Sequence, residues 1–245
     1  MIRIAAVSYL NTKPWVYAFE RTTWPQPVEV NLLTPSELEK SYINDECDIA
    51  LLPVAALKNL KDYRLITDFC IGADGDVNSV IIVSHKPLNE VSKMYLDYES
   101  VTSVALAKLL VTKYFNYNMT FVNAQMGYEK IASTENAAAL IIGDRALALR
   151  SEFAYVHDLA GEWKNWQYLP FAFACWVCKP HVEEEFIKFF NTVLADAVTN
   201  LNSFLKQYSH PQFDATTIEN YLSHHIQYTF DDKKKQAVKL FLSMI

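Results

Sequence analysis

Along the first third of the chain, short apolar runs alternate with stretches of helical character. The runs at 2–7 (IRIAAV), 28–33 (VEVNLL), 48–52 (DIALL) and 79–84 (SVIIVS) predict buried strands. Between them, TPSELEKSYINDE opens on Thr34, places Pro35 in its first turn and carries early acidic residues, the marks of a helix N-terminus. The middle of the chain repeats the theme. KMYLD and MTFVN predict short strands on either side of a helix, TSVALAKLLVTKYF, whose Val104, Leu106, Leu109, Leu110 and Tyr114 recur near helical period. AAALIIG is another buried run, stopped by Gly143-Asp144-Arg145, and LPFAFACWVC reads as a long strand. From 181 to 245 strand signal is weak and three helical patterns take over. The last of them, DDKKKQAVKLFLSM, is amphipathic, with Asp231 and Asp232 at its start.

Strands separated by helices predict a parallel or mixed α/β sheet. Two such halves and a helical C-terminal segment predict a bilobed protein, with one lobe from 1–85 plus 178–245 and the other from 86–177. The chain then crosses between lobes near 84–86 and near 175–180. Clefts between lobes are preferred sites for small molecules.

Composition narrows the function classes. Of 245 residues, 51% are hydrophobic and 20% charged, which supports a packed core, and the net charge of -6 argues against a nucleic-acid surface. Apolar runs are short and broken by charge, and no leader-like segment stands at the N-terminus, so the expected location is cytoplasmic with no membrane partner. Cys175 and Cys178 form C-W-V-C, but inside a strand pattern they point to opposite faces. Together with Cys47 and Cys70 they read as buried, unreactive thiols. The glycines, at Gly72, Gly75, Gly127, Gly143 and Gly161, allow neither a G-x-G-x-x-G nor a Walker pattern. His224 and His225 diverge by about 100° on a helix and predict no metal site. His85 and His157 sit near strand ends and read as bystanders.

Four polar clusters carry the candidate chemistry: Ser8-Tyr9-Leu10-Asn11-Thr12, ADGDVNSV (73–80), DYESVTSV (97–104) and Gly143-Asp144-Arg145. Each closes a strand or opens a helix. Ligands in open α/β sheets bind beyond the carboxyl ends of strands, where helix N-termini present free N–H groups. Ser, Thr and Asn there either cap the helix or contact a bound carboxylate. The residues alone therefore point to a bilobed α/β binder of a small anion and leave open whether it is an enzyme.

At these same clusters the sequence resembles a known family. VSYLNTKP, DIALLPVAAL, GADGDVNSVIIVS, LDYESVTSVALAKLL, LIIGDRAL, VHDLAGEW and LPFAFACW resemble, in order and over residues 2–180, the chorismate dehydratases of the futalosine route to menaquinone. Asp76, Val101 and Gln167-Tyr168 depart from that family's usual residues. The resemblance implies an α/β, two-lobed, type 2 periplasmic-binding-protein-like fold. It also implies a carbon–oxygen lyase that converts chorismate to 3-[(1-carboxyvinyl)oxy]benzoate and water without metal or organic cofactor. On that reading Ser79, Thr102 and Ser103 hold carboxylate, Asn11 with Ser8 contacts the reacting face and the C4 hydroxyl, and Asp144 orients a donor or the leaving group. No residue carries a base-like signature, and the substrate's own enolpyruvyl carboxylate is a candidate base. Two alternatives share the fold: the 1,4-dihydroxy-6-naphthoate synthase of the same route, and a non-catalytic solute-binding protein for a small carboxylate.

Overall fold

The apolar runs do form strands, and they divide into two sheets. The computed structural model describes residues 1–61, 63–130 and 136–245. Among these residues one sheet holds β1 (Ile2–Val7), β2 (Val28–Leu33), β3 (Ile49–Pro53), β4 (Arg64–Ala73), β10 (Phe171–Cys178) and β11 (Gln227–Thr229), in the order β11-β4-β10-β3-β1-β2. The other holds β5 (Val80–Ser84), β6 (Lys93–Leu96), β7 (Thr120–Asn123), β8 (Ala138–Ile142) and β9 (Tyr155–Asp158), in the order β7-β6-β8-β5-β9. Both sheets are mixed. β1 runs parallel to β2 and β3, while β10 lies antiparallel to both β3 and β4.

Two expectations change. β5 belongs to the second sheet and β10 to the first, so the chain crosses within 74–79 and again within 159–170, earlier in both cases than 84–86 and 175–180. An apolar run announces a strand but not the sheet it joins, because the pairing is set by residues far away in sequence. Three strands also carried no clear signal. β4 begins RLITDF with exposed and polar positions, and β9 (YVHD) and β11 (QYT) are short and polar.

Helices cover the sheets. α1 (Lys13–Arg21) lies along α6 (Glu184–Thr199), joined by an aromatic stack: Trp15 meets Trp176 of β10 edge-on at 5.5 Å, and Phe19 lies 5.7 Å from Phe190. Burying rings of this size is worth about 2–3 kcal/mol each, and it fixes the helix that follows the end of β1. α2 (Pro35–Ile43) starts as its sequence signalled, with the Thr34 N–H donating to Glu37 Oε2 at 2.9 Å. α7 (Asp232–Met244) is capped by Asp231, whose carboxylate accepts from the Lys234 N–H at 2.9 Å. The Lys234 side chain is buried and reaches Asp231 at 3.0 Å. Its stem crosses Gly72 of β4, where a Cβ would stand 2.7 Å from the Phe171 carbonyl oxygen and 3.1 Å from Lys234 Cε. All four cysteines are free and buried, and burial pushes the Cys70 thiol up to about 12. Among the described residues no helix is long and apolar enough to cross a membrane.

The two crossings are bound to each other by one side chain. Asp158, at the end of β9, caps α5 (Leu159–Gln167) by accepting from the N–H groups of Ala160 (3.0 Å) and Gly161 (3.2 Å). The same carboxylate accepts from Val77 (3.0 Å) and Asn78 (2.6 Å) on the first crossing. His225 holds that crossing from the other side, its Nδ1 at 3.0 Å from the Asp76 carbonyl oxygen and its Nε2 at 2.7 Å from the Asn78 amide nitrogen. Asn78 adopts φ 65°, a left-handed conformation held by these contacts.

Two outcomes follow from these contacts. Gly72→Ala forces backbone against backbone, and urea unfolding is expected to show a loss of about 2 kcal/mol or more. Burial raises the Asp158 carboxyl to about 6, against an ordinary value of about 3.9. The folded state therefore holds this proton more tightly than the unfolded chain does. Its contribution to stability falls as pH rises from about 4 to about 6, by roughly 2–3 kcal/mol, and is flat above that window. The difference between wild type and Asp158→Asn in urea unfolding across pH 4–7 should show this slope. A difference that does not change with pH contradicts the assignment.

Candidate functional site

The carboxyl end of β1 opens into a cavity between the two sheets. All four polar clusters reach it. Tyr9 and Asn11 line it from the end of β1, Val77 and Ser79 from the first crossing, Ser100 and Ser103 from the start of α3 (Val101–Leu109), and Gly143 from the start of α4 (Gly143–Leu149). Val7, Pro53, Ile71, Ile142 and Phe173 supply the apolar walls. Neutral donors set among apolar walls are the ordinary composition of a small-molecule site.

Asn11 is held on three sides. Its amide nitrogen donates to the Tyr221 hydroxyl at 3.3 Å, its amide oxygen accepts from Thr12 Oγ1 at 3.1 Å, and its carbonyl accepts from the Tyr228 hydroxyl at 2.9 Å. Thr12 thus spends its hydroxyl on Asn11 and makes no side-chain cap for α1, although Pro14 does sit in that helix's first turn. Tyr221 donates onward to Ser79 Oγ at 2.8 Å, so Asn11, Tyr221 and Ser79 form one buried chain. Burial drives the Tyr221 hydroxyl well above the ordinary phenol range, which keeps it protonated and a donor. Ser100 caps α3 by accepting from the Ser103 N–H at 3.1 Å and donates to Ser103 Oγ at 2.9 Å.

Three expected site residues lie elsewhere. Ser8 is half-buried, passes its N–H to the Leu33 carbonyl at 3.0 Å and does not line the cavity. Thr102 is buried and accepts the Ala55 N–H at 3.0 Å, so it joins the sheets rather than facing the cavity. Asp144 accepts the Leu10 N–H at 3.1 Å, and burial raises its carboxyl above the usual range. Thr102 and Asp144 are short polar residues whose side chains accept from backbone N–H groups, the alternative open to such residues. His85 is exposed and stacks on Phe153, and His157 pairs with Glu162 at 3.0 Å, so neither belongs to the cavity.

Tyr9, Ser100 and Tyr221 were not singled out. Ser100 carried a signal, as a serine one residue before a helical run. Tyr221 carried none, since it reaches Ser79 from the C-terminal segment, 142 positions further along the chain. Behind Tyr9 stands a charged cluster. The Tyr9 hydroxyl donates to Glu99, and Arg145 pairs with Glu99 at 3.2 Å, with Asp97 at 2.7 Å and with Glu129. Burial raises the Asp97 carboxyl, and Arg145 opposes that rise.

Comparison with known proteins agrees with this architecture. The chain is 30% identical over 160 residues to chorismate dehydratase of Thermus thermophilus, a match that covers 58% of this chain and 58% of that relative's length. Among solved structures, protein AF1704 from Archaeoglobus fulgidus superposes with a TM-score of 0.78 at 16% identity, covering 99% of this chain and 96% of its own. The periplasmic aliphatic sulphonate binding protein SsuA of Escherichia coli superposes with a TM-score of 0.68 at 12% identity, covering 99% and 91%. A Candida albicans protein with the generic periplasmic binding protein fold gives 0.64 at 10% identity, covering 98% and 90%. These three carry the fold. A family model described as menaquinone biosynthesis matches residues 2–245, and the chain belongs to that family.

Proposed function

We propose that this chain is a chorismate dehydratase, a hydro-lyase of the futalosine route to menaquinone acting in the cytoplasm. The observation that carries the reading is the meeting of Asn11, Ser79, Ser100 and Ser103, drawn from both sheets, on one cavity. Membership of the menaquinone-biosynthesis family and the named relative support it.

The reaction asks little of the protein beyond position and charge. The C3–H of chorismate is acidic because loss of its proton extends an enolate through the ring double bond to the C1 carboxylate. Hydroxide then leaves C4 and takes up a proton, so one water departs and the ring becomes aromatic. Aromatisation supplies the driving force. The site has to fix the ring and hold the developing enolate charge. On this reading the Ser100–Ser103 turn at the N-terminus of α3, with Ser79 opposite, receives the ring carboxylate. Asn11, locked by Tyr221, Thr12 and Tyr228, has a second amide N–H to offer the C4 hydroxyl as it leaves. The proton from C3 goes to the substrate's own enolpyruvyl carboxylate, because the cavity lining includes no carboxylate, histidine or lysine side chain among the described residues.

The test is chorismate consumption and formation of the benzoate product by the purified chain. Asn11→Ala and Ser103→Ala should each lower kcat/KM by about 10²- to 10³-fold, the usual effect of removing one donor to developing charge. Wild-type turnover in both variants overturns this site. Chorismate that binds and survives unchanged favours a solute-binding role, and turnover of a cyclic futalosine intermediate instead favours the naphthoate synthase.

A further inference from the structure

Among the described residues, and apart from the Tyr221–Ser79 link at the crossing, three side-chain hydrogen bonds tie the two sides of the cavity. The Ala55 N–H reaches Thr102, the Leu10 N–H reaches Asp144, and the Tyr9 hydroxyl reaches Glu99. The first two involve groups outside the cavity lining. The third is different, because the Tyr9 ring is itself part of the cavity wall while its hydroxyl bonds outside it. A ligand in the cavity touches this tie and neither of the others.

The contact is built from both ends. On the Tyr9 side the ring lies across Gly143, where a Cβ would stand 3.0 Å from it, and Gly143 adopts φ 62°, so no side chain competes for that space. On the Glu99 side, Arg145 holds the carboxylate at 3.2 Å and is itself fixed by Asp97 and Glu129, with its guanidinium 5.0 Å from the Tyr98 ring. Three carboxylates on one guanidinium leave an excess of negative charge on the far side of the tyrosine. With the contact made, the phenol proton faces that charge. With it broken, Glu99 is free to repel an anion at the cavity edge.

We propose that the Tyr9–Glu99 hydrogen bond is the clasp that holds the two lobes shut over the cavity, with Arg145 fixing Glu99 in place, and that its opening sets how fast a small carboxylate enters and leaves. The proposal rests on the lobes and the cavity and holds for any carboxylate that fits, so it stands apart from the dehydratase reading.

The test reads the clasp without turnover. Spin labels at Ile43→Cys and Met126→Cys, exposed positions on the two lobes, report the interlobe distance in the full chain, while the native cysteines are buried. Tyr9→Phe keeps the ring and removes only the donor, and Glu99→Ala removes the acceptor from the other side. Each should lengthen the interlobe distance and speed dissociation of benzoate, used as probe in stopped-flow fluorescence, by about 10- to 100-fold, the range for a hydrogen bond to a charged group. The double variant should be no further open than the single ones, the signature of one shared interaction. An unchanged distance in both single variants, or effects that add in the double variant, overturns the proposal.

Discussion

A polypeptide that passes from one sheet to another and back must hold both passages at a fixed separation, or the space between the sheets has no defined shape. Here one carboxylate does that work. Asp158 accepts four backbone N–H groups, two from each crossing, and so turns two connections into one unit. Ser79 ends the first crossing and faces the cavity, which makes the geometry of the site a consequence of that junction. The arrangement has a cost: the ionised carboxylate is buried, and burial raises its proton affinity even though hydrogen bonds from Val77, Asn78 and Gly161 oppose the rise. Such tension between hydrogen bonding and desolvation is common where a buried charge organises loops.

The cavity shows a second economy. Its polar groups are neutral, and each is fixed by another: Asn11 by Tyr221, Thr12 and Tyr228, Ser79 by Tyr221, Ser103 by Ser100. Groups held this way need not reorganise when charge develops on a ligand, the property that makes preorganised dipoles effective. Full charges are kept one layer back, in the cluster around Arg145, where guanidinium and carboxylates answer each other. An anion in the cavity is thus met by dipoles first and by ions only through the Tyr9 ring.

Much of this could be read from the amino acids, and the failures have physical reasons. Buried strands such as IRIAAV and SVIIVS declared themselves because their cores are apolar, whereas RLITDFCIGA did not, because its first half lies at a half-exposed position with Asp68 outward. The four polar clusters were legible as strand ends, and all of them reach one cavity. Which member of each cluster turns inward was not legible. Ser8 and Asn11, or Thr102 and Ser103, are sorted by where their neighbours' backbone groups fall, and that depends on tertiary contacts such as Ala55 on Thr102. The misplaced lobe boundaries have the same origin, since β5 and β10 are equally apolar and differ only in their partners.

The strand order also says something about birth of the molecule. β10 lies between β4 and β3, yet it is made about a hundred residues after them, once the whole five-stranded lobe has been synthesised. During translation the first sheet waits with the facing edges of β3 and β4 unpaired, while the second lobe, continuous from β5 to β9, is free to close. Unpaired edges of apolar strands are where nascent chains stick to one another. For this chain the vulnerable interval ends only when Phe171–Cys178 pairs with both strands.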